Sequence, residues 1–162
     1  MAITKEKKKE ILEKVKDIAG NESVVFVNFH GLPVAKISEI RNTLRNSDVS
    51  YYVAKKTLIK KAFNEAGIEG EIPSLDGELA LAYSHDATAP AREVFSFQKT
   101  SQDSFSILGG VFENRFLSKS EMEEIAQIPS IHQLRGMFVN VINSPIQGFA
   151  MAIKAIADKK EA

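Results

Sequence analysis

Between Val24 and Phe63 the chain reads VVFVNFHGLPVAKISEIRNTLRNSDVSYYVAKKTLIKKAF, and its hydrophobic period switches from strand to helix twice within this stretch. Each strand-like run feeds a helix through a very short connection, so both helices are expected to leave from the same end of a small sheet. Ser23 to Phe29 is apolar at nearly every position, which predicts a strand buried on both faces. His30 and Gly31 break it, and Pro33 suits the first turn of the next helix. In that helix Val34, Ile37, Ile40, Thr43 and Leu44 recur at helical spacing, while Lys36, Arg41 and Arg45 point elsewhere. Val49 to Ala54 alternates as a second strand. Lys55 to Ala66 then forms a helix with Leu58, Ile59, Ala62 and Phe63 inward and Gly67 at its C′ position.

The flanking segments extend this pattern. Thr4 is placed to cap a first helix whose Ile11, Leu12, Val15, Ile18 and Ala19 form one stripe, with Gly20 ending it and its lysines outward. Glu78 to Tyr83 reads as a third strand. Asp86 is a candidate cap for a helix running through Val94 and Phe97, with Pro90 tolerable only near its first turn. Phe105 to Phe116 reads as two strands meeting at Gly109-Gly110, and Ser118 with Glu121 forms a capping box for a short acidic helix ended by Pro129. The expected fold is α+β: a two-layer α/β sandwich with a mixed sheet and a ferredoxin-like plait over residues 1–128, then a long kinked C-terminal helix over 129–162.

Charge is distributed unevenly along this framework. The formal net charge is zero, yet residues 1–61 hold thirteen Lys and Arg against seven acids, a surplus of +6 that the remainder reverses. Such asymmetry points to a nucleic-acid face at one end and a different partner at the other. A rim of lysines without a convergent catalytic set is the outline of a phosphate-backbone binder.

The tail after Pro129 has another character. Ile131, Leu134, Phe138, Val141, Ile142, Phe149, Ala152, Ile153 and Ile156 recur at three- and four-residue intervals, and Arg135 and Lys154 are the only charges from 131 to 157. Pro145, preceded by Asn143 and Ser144, is expected to kink or break this helix into two similar pieces. A membrane span of about 20 apolar residues is interrupted by Asn140, Asn143, Ser144, Gln147 and Gly148. Three uses compete for the stripe: docking on its own domain, self-pairing as a coiled coil, and docking of partner helices, the last being preferred.

Other chemistries find little support. The chain has no cysteine, which removes disulfides, thiolate metal sites and cysteine nucleophiles. Ser84-His85-Asp86 contains triad residue types, but three consecutive residues do not converge on one point. His30, His85 and His132 lack metal-ligand spacing, so neither a metal nor any other cofactor is expected. Gly67-Ile68-Glu69-Gly70 shares only its glycines with a phosphate-clamping loop. The first residues, MAITKEKKKEIL, lack a secretory h-region, so a cytoplasmic protein is the default.

Several local motifs carry a resemblance. Gly31-Leu32-Pro33-Val34, Ile40-Arg41-Asn42-Thr43-Leu44-Arg45, Val53-Ala54-Lys55-Lys56-Thr57-Leu58, Gly109-Gly110-Val111 and the Pro129 boundary together resemble the bacterial ribosomal stalk-base family, member ten of the large-subunit series, over essentially the whole length. Two positions depart from the family pattern: Lys56 stands where Asn is usual, and His30 where a basic residue is frequent before the turn. The resemblance implies a ribosome-bound scaffold and no enzyme. Its N-terminal domain would contact large-subunit ribosomal RNA beside a neighbouring stalk-base ribosomal protein. The RNA contacts would come from Lys7, Lys8, Lys9, His30, Gly31, Leu32, Lys36, Arg41, Arg45, Lys55, Lys56, Thr57 and Lys60. The C-terminal helix would carry dimers of the acidic stalk protein, about two judging by its two pieces, and through them serve the translational GTPases. The alternative is a free-standing RNA-binding adaptor or translational regulator that self-associates through its tail.

Overall fold

The computed structural model describes residues 5–70, 72–75, 77–100 and 105–161; the expected cap Thr4 lies outside them. The chain runs α1 (Lys5–Ala19), β1 (Ser23–Asn28), α2 (Val34–Asn46), β2 (Ser50–Val53), α3 (Lys56–Glu65), β3 (Leu79–Ser84), α4 (Ala89–Thr100), β4 (Ser106–Phe112), β5 (Arg115–Leu117), α5 (Lys119–Ala126) and α6 (Ile131–Glu161). It divides into two compact units, residues 1–128 and 129–162.

The first unit is built on one five-stranded sheet in the order β2-β3-β1-β4-β5. β1 to β2 and β3 to β4 each skip one place, and an antiparallel strand fills the gap, which is the plait expected from the sequence. The expected mixed pairing is not what results: every ladder between named strands is antiparallel. The crossovers themselves explain this, since the parallel strands β1 and β2 are kept apart by β3. The one parallel pairing among the described residues is an isolated bridge between Glu69 and Arg115.

Helices cover both faces of the sheet, so a third layer is added to the expected two. Val25 and Val27 join Ile40 and Leu44 of α2, Val94 of α4 and Met122 of α5 in one core, while Val24 and Phe26 join Val15 of α1 and Ile59 and Phe63 of α3 in the other. All four β1 side chains named here are fully buried. A strand apolar at consecutive positions requires a cover on each side. Phe26 and Phe63 meet edge to face with ring centroids 5.2 Å apart, tying α3 to the centre of the sheet.

Local differences from the sequence reading have local causes. Pro33 and Lys55 are N-caps, so their helices begin at Val34 and Lys56. Asp86 Oδ1 accepts from Thr88 N at 3.0 Å, forming a turn ahead of α4 instead of capping it directly. Gly109-Gly110 lies inside β4. The hairpin instead turns at Glu113 and Asn114, both left-handed with φ 47° and 64°. A side chain at Gly110 would run into Met122 of α5 and come within 2.5 Å of Val24 O, so the glycine is there to let α5 approach the sheet. The Ser118–Glu121 capping box forms as expected. A second reciprocal cap, Ser130 with Gln133, opens α6: Gln133 N donates to Ser130 Oγ at 3.4 Å and Ser130 N to Gln133 Oε1 at 3.2 Å.

In the second unit α6 is a single helix of 31 residues with Pro145 inside it. Of the kink or break expected near residue 144, the break is absent, because the helix runs on through Pro145. Proline removes one ladder hydrogen bond, that to the Val141 carbonyl, and the turns on either side continue the helix.

Candidate nucleic-acid interface

The topology decides which basic residues share a surface. β1 and β2 run in the same direction, so the 30–33 turn and the Lys55–Thr57 helix start emerge from one end of the sheet. α1 enters β1 through only three residues and therefore runs back along the sheet toward that same end. The Lys16–Glu65 ion pair, 2.6 Å long, joins the carboxyl-terminal ends of α1 and α3 at the opposite end. The amino ends of α1, α2 and α3 thus all point to one rim, and with them the positive poles of three helix dipoles.

The chain leaves the α2 and α3 poles without internal anions, whereas α1 carries Glu6 in its first turn. α2 and α3 have no side-chain cap, and neither carries an acid in its first turn. By contrast α5, away from the basic segment, is capped by Ser118 and Glu121. The Ser118 hydroxyl and backbone N–H hold the Glu121 carboxyl below its ordinary value. Uncapped amino ends with exposed lysines beside them can accept phosphate oxygens from outside.

Within this rim Lys7, Lys8, Lys9, His30, Gly31, Lys36, Lys55, Thr57 and Lys60 are exposed and Leu32 is half-buried. Among the described residues none of these lysines forms an ion pair. Lys56 is different: it is half-buried and its Nζ donates to the Leu75 carbonyl at 3.3 Å, tying down the segment before β3. A shallow pocket of about 510 Å³ opens between the ends of β1 and β2 and the start of β3, with Phe29, Val53, Lys55 and Glu78 in its wall.

Arg41 and Arg45 are not brought to this rim. α2 lies on the opposite face from α1 and α3, and Arg45 stands about 13 Å along the helix axis from Lys36. The Arg41 guanidinium sits over the Tyr51 ring, 5.6 Å from its centre. Burial pushes the Tyr51 phenol up to about 12, and Arg41 opposes part of that rise. The sequence reading also missed Val34: expected inward, it is 79% exposed at the rim because it occupies the first helical position, ahead of the packed turns. Its place directly after the Pro33 cap is the signal that marks it.

Two residues of the hydrolase-like triplet, Ser84 and Asp86, have structural work, and His85 is exposed. Ser84 Oγ donates to Asp48 O and accepts from Asp86 N, and Asp86 holds the Thr88 turn. Among the described residues no cluster of His, Asp and Glu is arranged to hold a metal, and no helix is long and apolar enough to cross a membrane.

The second candidate surface is α6. At 3.6 residues per turn, Ile131, Leu134, Phe138, Val141, Ile142, Phe149, Ala152, Ile153 and Ile156 share one stripe about 120° wide. Every one of them is exposed, Phe138 at 67% and Phe149 at 69%. Because the helix is continuous, Phe138 and Phe149 fall on one line about 16 Å apart. Met137, Val139, Ile146 and Met151 are exposed as well, so apolar surface extends beyond the stripe.

A three-layer domain with a basic rim of helix amino ends, followed by a helix apolar along its length, has the makings of a structural ribonucleoprotein component. Known proteins supply the particular family. Residues 3–99 match the family described as "Ribosomal protein L10", and residues 128–162 match "Ribosomal protein uL10 C-terminal region". The chain belongs to the uL10 family of large-subunit ribosomal proteins. It is 36% identical to the large ribosomal subunit protein uL10 of Staphylococcus carnosus (strain TM300) over 158 residues, covering 96% of this chain and 95% of that relative. The uL10 protein of Staphylococcus aureus (strain JH9) is 35% identical over the same shares. The role is therefore structural, within the large ribosomal subunit, and not enzymatic.

Proposed function

We propose that this protein forms the base of the large-subunit stalk, seated on ribosomal RNA by the rim of its first unit and carrying dimers of the acidic stalk protein on α6. The observation that carries this reading is the exposed apolar stripe of α6. A helix with this much apolar surface and so few charges needs a cover, and an amphipathic partner helix laid along it supplies one. About two partner dimers fit the two anchor groups around Phe138 and Phe149, side by side on one continuous helix instead of on two hinged pieces. The acidic partner would in turn recruit the translational GTPases. A neighbouring ribosomal protein beside the rim would meet the exposed Val34.

At the rim, the unpaired lysines and uncapped helix starts favour phosphate contacts, which position the protein without reading sequence. Lys7–Lys9, His30–Leu32, Lys36, Lys55, Thr57 and Lys60 are the favoured set. Arg41 and Arg45 would reach only RNA that wraps onto the α2 face.

The test is the native mass of the full-length chain co-expressed with its host's acidic stalk protein, beside a chain ending at Pro129. Full-length protein carrying an even number of acidic chains, with a folded but bare truncated form, supports the proposal. Self-association of the full-length chain through its tail, with no acidic chain bound, would instead favour the adaptor reading.

A further inference from the structure

A pocket of about 400 Å³ lies away from the rim, between the carboxyl-terminal half of α1 and strands β2 and β3, lined by Lys14, Asp17, Ile18, Asn21, Tyr52 and Tyr83. Tyr83 pairs across the strands with Ser50, and Tyr52 follows two residues later on the same face. The two rings are therefore diagonal neighbours, about 7 Å apart at their backbones, on the α1/α3 side of the sheet. Both pack against the second core and remain half-buried. They form an aromatic wall that the fold does not cover.

The polar groups around this wall are unspent. Asn21 Nδ2 donates to the Ile18 carbonyl at 3.0 Å and to the Asp17 carbonyl at 3.4 Å, closing α1 and leaving Oδ1 as an acceptor. Lys14 and Asp17 form no ion pair among the described residues, with each other or with any other residue. The pocket thus offers aromatic faces, two acceptors for an N–H₂ group and one ammonium. An unpaired RNA base stacks on tyrosine and is read through hydrogen bonds to its edge, with its phosphate held by a cation.

We infer that this pocket takes a single splayed-out ribonucleotide whose base carries an exocyclic amino group, stacked on Tyr52 and Tyr83, its amino group donating to Asp17 or Asn21 and its phosphate held by Lys14. The inference rests on the RNA-binding reading of the first unit and adds base recognition at a place separate from the rim.

The experiment follows the Tyr52 and Tyr83 ring resonances of the full-length chain by NMR during titration with oligoadenylate and, separately, oligouridylate. Oligoadenylate is expected to shift both rings and to bind more tightly than oligouridylate. Tyr52→Leu should cost about tenfold in oligoadenylate affinity, as the loss of one stacked base does. Asp17→Asn should narrow the preference for oligoadenylate, and Lys36→Glu at the rim should leave the ring shifts in place. Rim lysines that respond while both rings stay still would overturn the pocket and spare the rim. Equal binding of the two oligomers with shifted rings would overturn the amino-group recognition. Silence of rim and rings alike, together with no binding to stalk-base RNA, would remove the RNA reading and the pocket with it.

Discussion

At single positions the chain is held by contacts whose removal has a definite sign. Gly110 is the sharpest case, because α5 reaches the sheet only where no side chain stands in the way. Gly110→Ala should destabilise the first unit by about 2 kcal/mol, because the added methyl crowds the fixed Val24 carbonyl of β1 as well as the more yielding Met122 side chain, read as a lower urea midpoint with an unchanged slope. Tyr51 makes a prediction in the alkaline range. Its raised value means that the folded state favours the neutral phenol. The resulting stability is fully present below the unfolded-chain value of 10.0 and is lost as pH rises from there through about 12. Phenolate absorbance should accordingly show a tyrosine step well above the ordinary value of 10.0, and Arg41→Ala should delay it further. The alternation over Val49–Ala54 places Tyr51 in a strand, but only the packed α2 brings Arg41 over its ring, so neither effect is legible in the sequence.

Elements are more legible than the distances between them. The strands and helices follow from runs such as Val24–Val27 and the Ile59, Ala62, Phe63 spacing, where period and burial agree. The third layer is implicit in β1, whose consecutive apolar residues demand two covers. A turn at Gly109-Gly110 is the wrong expectation because glycine marks both turns and close backbone approaches, and nothing local separates the two uses. A full break at Pro145 is the wrong half of the kink-or-break expectation for a related reason: helix-breaking is a statement about one lost hydrogen bond, and fourteen residues before it and sixteen after it in α6 outweigh that loss. The helix should tighten when the bond is restored. Pro145→Ala is expected to favour the helical state of α6 by up to about 3 kcal/mol, seen as higher far-ultraviolet helicity of the full-length chain. If the anchors work as one continuous line, the variant keeps its acidic partners; if docking depends on a bend at this point, it loses them.

Across the whole molecule the opposed charges of the two sequence segments become spatial only in part. Six of the thirteen basic residues in the first 61 stand on or beside the rim as exposed lysines, namely Lys7, Lys8, Lys9, Lys36, Lys55 and Lys60, while Lys61 is drawn to Glu65 at 3.9 Å, toward the other end of α3. Arg41 and Arg45 are carried away on α2, which no count along the chain could reveal. If the rim binds RNA by neutralising phosphates, affinity must fall linearly in log–log form with salt, because each neutralised phosphate releases condensed counterions. Replacing Lys36 and Lys55 by Glu should then weaken binding to the stalk-base RNA at low salt and reduce the slope by about one for each lysine replaced. Arg45→Glu, on the other face, should leave the slope nearly unchanged. A filter-binding or fluorescence titration of the full-length chain at several salt concentrations separates the two cases. Equal slopes for the Lys36/Lys55 and Arg45 variants would mean that the RNA wraps both faces, and that the converging helix ends are not what seats the protein.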